Sequence, residues 1–155
     1  MNIEALAQRL QVLEDIEAIK RLKARYCAFC DDGYNPDGIA SLFVEDGVWD
    51  GGEMFGTCEG QAAIRKFFTG APKQLPFALH YVMNPRIEVN GDTATGHWYL
   101  FQACSYAKNN QAVWGAATYT EAYVRVDGEW KFQRLSVAPS FWTPYEQGWE
   151  KKPFI

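Results

Sequence analysis

Two histidines occur in this chain, His80 and His97, so each can be weighed on its neighbours. His80 opens a strand-like run, Leu79-His80-Tyr81-Val82-Met83-Asn84-Pro85. Imidazole is the side chain best suited to moving protons near neutral pH, although a lone histidine in an apolar strand is more often structural. His97 lies mid-strand, and nothing beside it marks it out. Asp31 is the second candidate. It stands at the end of a long helical pattern, where the negative end of the helix dipole disfavours a carboxylate. That position calls for solvation, a cation or a chemical use, and Asp32 beside it offers the solvated alternative. Tyr26 precedes Asp31 by five residues, about 140° round an ideal helix. The two reach one cavity only if it wraps the helix end; otherwise Tyr26 is core. Arg134, in Trp130-Lys131-Phe132-Gln133-Arg134-Leu135, sits between apolar residues on the last strand. There it either steadies a developing anion or pairs with a carboxylate.

The sequence contains no nucleophile elbow, phosphate loop or metal-ligand pattern. That leaves acid–base chemistry without a cofactor or metal, or no catalysis. Cys27 and Cys30 form a lone C-x-x-C inside a helical pattern, and the other cysteines, Cys58 and Cys104, supply no second pair. Buried thiols in a reducing cytoplasm are the expectation, rather than a zinc or redox site.

These residues must be positioned by a small number of elements. Leu6, Leu10, Leu13, Ile16, Ile19, Leu22, Tyr26 and Phe29 recur at spacings of three and four, which predicts an amphipathic helix over 3–31. Asn35-Pro36 predicts the start of a second, short helix whose apolar face is Ile39, Leu42 and Phe43. Two short strands are expected over 47–50 and 54–58, a third helix over 60–68, and a loop over 69–76. From residue 77 the period changes to two. Four long strands follow, near 77–89, 93–107, 111–126 and 129–142, joined by turns at 90–92, 108–110 and 127–128. Pro85 must mark a bulge or an unpaired edge position. The tail, 143–155, is expected to wrap over the rest.

Helices followed by an antiparallel meander predict an α+β fold in one domain, 1–155. On the second long strand one face carries Trp98, Leu100, Gln102 and Cys104, and the other His97, Tyr99, Phe101 and Ala103. Neither is polar, so helices and a pocket should cover one face and a second subunit the other.

Composition sets the outer limits. The chain has 155 residues, 48% of them hydrophobic, enough for one core and too many for a disordered chain. Its formal charge of −4 lacks the cationic footprint of a nucleic-acid binder. No basic start precedes an apolar run, and no run approaches the about 20 residues of a membrane span, so a cytoplasmic protein is expected. Aromatic residues reach 15%, which core packing alone does not require. Phe43, Phe67, Phe68, Trp130 and Phe132 are assigned to the core, and Tyr99 and Phe101 to an outer interface. Tyr26, Trp49, Phe55, Trp98 and Trp142 remain for a pocket wall.

The order of motifs resembles a known family. Tyr26…Asp31 closes the long helix; Leu42-Phe43-Val44-Glu45-Asp46-Gly47-Val48-Trp49, Gly60…Ile64…Phe67-Phe68 and His80-x-x-x-Asn84-x-x-Ile87 follow. The chain closes with Tyr119-x-x-x-Tyr123-x-Arg125-x-Asp127-Gly128-x-Trp130-Lys131-Phe132. Over roughly residues 10–143 this is similar to the SnoaL-like branch of the nuclear transport factor 2-like superfamily. The resemblance implies a cone-shaped, curved, mixed sheet with three N-terminal helices across its concave face. It implies an oligomer, a trimer or dimer built through the outer sheet face. Asp31 falls on the family's aspartate that orients a catalytic histidine, His80 on that histidine, Tyr26 on a polar substrate-facing position and Trp49 near a pocket aromatic. A pocket arginine found in one member of the family falls on Leu135, one place from Arg134.

The activity implied is that of a lyase without a cofactor, acting on a hydrophobic aromatic or polycyclic small molecule. His80 would be its base, with Asp31, Tyr26 and Arg134 assisting. Trp49, Phe55, Trp98, Gln102 and Trp142 would hold the substrate. The same family contains formaldehyde-releasing lyases on lignin-derived diaryl compounds, isomerases and polyketide cyclases. It also contains non-catalytic subunits of ring-hydroxylating dioxygenases.

Overall fold

The computed structural model describes residues 2–155. α1 (Ile3–Asp31) is one unbroken helix. Asn2 caps it by accepting the Ala5 N–H at 2.8 Å, which satisfies one of the donors a helix start leaves open. Its buried residues, Asp15, Ile19, Leu22, Lys23, Tyr26, Cys27 and Cys30, form one stripe. Leu6, Leu10 and Leu13 are more than half exposed, contrary to the core-facing role their spacing suggests. Periodicity tells which residues share a helix face, not where the surface opposite ends. Asp15 is the first buried residue and seats the helix. Its carboxylate accepts from Arg125 Nη1 at 2.5 Å and from Trp130 Nε1 at 3.0 Å.

α2 (Pro36–Ser41) begins as predicted, with Asn35 accepting the Gly38 N–H at 2.9 Å. Phe43 does not extend it. Phe43 instead opens β1 (Phe43–Asp50), opposite Phe132, their ring centroids 5.1 Å apart. The strand expected over 54–58 is split: its first two residues end a helical turn, α3 (Gly52–Phe55), and its last two begin a three-residue β2 (Thr57–Glu59). Gly52 and Gly56 take φ of 64° and 82°, and these left-handed residues turn the chain too tightly for a longer strand. α4 (Gln61–Gln74) runs six residues past its expected end at Phe68. Pro72 lies in its last turn, where the missing N–H removes only one helical bond.

β3 (Phe77–Asn90), β4 (Thr93–Tyr106), β5 (Gln111–Val126) and β6 (Glu129–Pro144) form the meander. The sheet order is β2-β1-β6-β5-β4-β3, antiparallel except for β1 beside β6. The β3–β4 register breaks between Met83 and Arg86, with Asn84 at φ 55°, so Pro85 does sit in a bulge on an edge strand. After a short turn, α5 (Gly148–Lys151), the chain returns to β6: Trp142 N–H donates to Pro153 O at 2.7 Å and Ile155 N–H to Trp142 O at 2.9 Å. The fold is α+β, a six-stranded mixed sheet with helices packed across it. Among the described residues no helix is long and apolar enough to cross a membrane.

Candidate active site

One rung of the sheet organises the site. His80 stands opposite Gln102, Gln102 opposite Gly115, and Gly115 opposite Trp142. Directly opposed residues point to the same face, and here that face is the inner one. Gly115 is required at its place. A Cβ there would lie 2.2 Å from the Trp142 ring, which covers the glycine and lines the cavity.

α1 ends beside this rung. Asp31 Oδ1 accepts the His80 backbone N–H at 2.9 Å and pairs with its ring Nδ1 at 2.7 Å. The His80 side chain is 6% exposed and that of Asp31 29%. A carboxylate on Nδ1 fixes the tautomer with the proton on Nδ1, which leaves the Nε2 lone pair available. Tyr34 meets the imidazole edge to face, its ring centroid 6.0 Å away, and stacks on Phe68 at 5.7 Å. The ring is thus clamped by an anion and an aromatic wall.

His80 borders a cavity of about 590 Å³, predominantly apolar. Of the residues expected there, Tyr26, Trp49, Phe55, Gln102 and Trp142 do line it. The hydroxyl of Tyr26 accepts Trp49 Nε1–H at 2.9 Å. Burial holds the Tyr26, Tyr34 and Tyr119 hydroxyls well above the ordinary tyrosine range, so all three stay protonated. Tyr106 is raised to about 12 by the same cause, and its oxygen accepts Trp142 Nε1–H at 3.0 Å.

Two expected residues are elsewhere. Arg134 points away from the cavity, its Nη2 2.5 Å from Asp50 Oδ2 and its Nε on Ser136 Oγ at 3.2 Å. The reason is a bulge: the β5–β6 register shifts between Ala122 and Tyr123, so Gln133 is the extra residue. Trp130 and Phe132 face inward before it and Leu135 and Val137 after it, which turns Arg134 outward. Trp98 lies on the inner face of β4 but beyond Leu100, outside the cavity wall. Its Nε1–H donates to the Tyr123 hydroxyl at 3.1 Å, and Tyr123 hydrogen-bonds Glu121. Glu121 pairs with Lys23, and both side chains are wholly buried.

Sequence reasoning missed Tyr34, Tyr106 and Tyr119 as cavity residues, and Phe67 and Phe68, taken as core, also line it. Tyr34 takes φ 55°, a conformation nothing in Asp32-Gly33-Tyr34-Asn35 announces. Tyr119 had a usable signal: it follows the inward parity of Val113, Gly115 and Ala117 along β5. Cys27, Cys30 and Cys104 are buried free thiols, as expected, and burial lifts Cys27 to about 11. Among the described residues no cluster of three or more His, Cys, Asp or Glu could hold a metal ion.

Comparison with known proteins bears on the family and the fold. Hexachlorocyclohexane dehydrochlorinase 1 of Sphingobium indicum is 34% identical over 108 residues, 68% of this chain and 70% of that protein. The crystal structure of a hexachlorocyclohexane dehydrochlorinase (LinA) type 2 superposes with TM-score 0.82 at 28% identity, covering 88% of this chain and 92% of that one. A Novosphingobium aromaticivorans protein, described as NTF2-like with a cystatin-like fold, matches at TM-score 0.70 and 26% identity over 90% of both chains. The SnoaL-like domain family matches residues 11–136, and the chain belongs to that family.

Proposed function

We propose that this protein is a lyase of elimination type that works without a cofactor on a hydrophobic small molecule, with Asp31 and His80 as its acid–base pair. The observation that carries the reading is the double hold of Asp31 Oδ1 on His80, beside an apolar cavity. The similarity to dehydrochlorinases, whose named reaction is an elimination, supports the same class. His80 Nε2 takes a proton from a substrate carbon. The C–H electron pair becomes the new double bond, and the leaving group departs from the adjacent carbon with its own pair. Asp31 stabilises the imidazolium that forms, then directs its proton back out through Nε2. The aromatic walls position the rings of the substrate and keep water away from the base.

The cavity suits an aromatic or alicyclic substrate, and the aromatic outer face, with Tyr81 and Tyr99 each more than half exposed, suits association with a second copy. The test is a mass-resolved screen with halogenated cyclohexanes, hydroxylated polycycles and phenolic dimers. Loss of HCl or water that falls at least about 10²-fold in His80→Ala supports the reading. Loss of formaldehyde, or an unchanged mass, would redirect it to retro-aldol or isomerase chemistry. Undiminished turnover in His80→Ala would overturn it.

A further inference from the structure

Elimination leaves negative charge on the departing atom, and His80 cannot also meet that charge. The four cavity tyrosines differ in what their hydroxyls already do. Those of Tyr26 and Tyr106 accept tryptophan N–H groups, and Tyr34, whose ring stacks on Phe68, has no cation at its face among the described residues. The Tyr119 hydroxyl has no hydrogen-bond partner among the described residues. Every enclosed side-chain polar atom among those residues does have a partner. An unpartnered hydroxyl on a cavity-lining residue is therefore one that opens onto the cavity.

The ring behind that hydroxyl has an unusual neighbour. Lys23 Nζ lies 3.2 Å from the Tyr119 ring centroid and 4.9 Å from that of Tyr26. Its charge is balanced by Glu121, which also receives the Tyr123 hydroxyl. Stability does not require this arrangement, because a well-packed apolar pair often does as well as a buried ion pair. Its orientation is informative: the ammonium end faces the Tyr119 ring. A cation on a phenol face draws electron density from the ring and strengthens the O–H as a donor.

We propose that Tyr119 is the hydrogen-bond donor to the substrate atom that gains negative charge, and that Lys23 is a positioning residue acting through the Tyr119 ring. The proposal deepens the lyase reading above and rests on it for its role in turnover. It moves the donor from Tyr26, whose oxygen is tied to the Trp49 indole, to Tyr119, whose ring carries the lysine.

The experiment reads binding rather than turnover, so it stands apart from the test of His80. The probes are 4-nitrophenolate, in mildly alkaline buffer, and its neutral counterpart nitrobenzene, each titrated against the whole chain. Tyr119→Phe should weaken 4-nitrophenolate by about tenfold or more, the worth of a hydrogen bond to a charged group. Nitrobenzene should bind within about twofold of wild type, because the ring is retained. Lys23→Met combined with Glu121→Met, checked for folding by circular dichroism, should lose anion affinity and retain nitrobenzene. If that double variant does not fold, Tyr123→Phe is read in its place. It removes one hydrogen bond from Glu121, so the carboxylate neutralises Lys23 more fully and the anion should bind more weakly. Equal loss of both probes in Tyr119→Phe, no loss of either, or failure of the wild-type chain to bind the anion would overturn the Tyr119 assignment. Unchanged anion binding in the Lys23 arm would overturn the role given to Lys23.

Discussion

Asp31 holds His80 by two different atoms of the same residue, the backbone N–H at 2.9 Å and ring Nδ1 at 2.7 Å, both on Oδ1. The backbone bond fixes where β3 begins relative to the end of α1. The ring bond fixes which way the imidazole faces once it is there. One carboxylate oxygen therefore joins helix to strand and sets the tautomer, so its loss should be felt in both.

Asp31→Asn tests this pair. The amide can still accept the His80 N–H, so the fold should persist, but the charge that favours the Nδ1–H tautomer is gone. Nitrogen-15 NMR of the ring should show the Nδ1–H form in the native chain and a mixture in the variant. Turnover, where a substrate is found, should fall about 10²–10⁴-fold. A single unchanged tautomer in Asp31→Asn would remove the orienting role.

Arg134→Ala should leave turnover within about threefold, because the bulge at Gln133 turns this residue outward. Its partner Asp50 supplies a pH test. The Gly52 N–H, with the Thr57 and Arg134 side chains, holds the Asp50 carboxyl below its ordinary value. A lowered folded-state pKa contributes stability above the unfolded value, near pH 4, and loses it as acid protonates the group. Asp50→Asn should therefore flatten the acid limb of a stability–pH profile by less than about 1 kcal/mol, since the group is partly solvated and its partner Arg134 is about half exposed. Urea denaturation at several pH values measures it.

Gly115→Ala places a methyl against the Trp142 ring. The indole must shift, which should cost about 1–3 kcal/mol and break its bond to the Tyr106 hydroxyl. Thermal unfolding reads the first effect, and tryptophan fluorescence on nitrobenzene titration reads the altered cavity wall. A variant as stable as the parent with the same titration would contradict this packing.

The thiols should separate by access. Burial raises Cys27 to about 11 and lifts Cys30 and Cys104 as well, so near pH 8 all three are almost wholly protonated and shielded. Cys58 is only partly buried. Iodoacetamide on the native chain, read by peptide mass, should label Cys58 first. Rapid labelling of Cys27 or Cys30 would show that α1 opens.

Local chemistry made much of this readable from the chain alone. Apolar spacing in α1, the Asn35-Pro36 start, the hairpin turns and the Pro85 bulge are written in residues within a few positions of one another. His80 and Asp31 stood out as candidates by type and place, an imidazole in an apolar strand and a carboxylate at a helix C-terminus, but it was the family resemblance that implied their pairing. The inward parity of Gln102 followed from strand alternation alone. What stayed hidden depends on partners distant in sequence. The first turns of α1 are exposed because the opposing surface ends at Asp15, and no periodicity records that. Arg134 faces outward because of one extra residue in β6, whose position is set by pairing with β5. Tyr119 and Lys23 meet across 96 positions of chain, and only the packing of α1 on β5 turns a helical lysine and a strand tyrosine into a charged floor under a cavity.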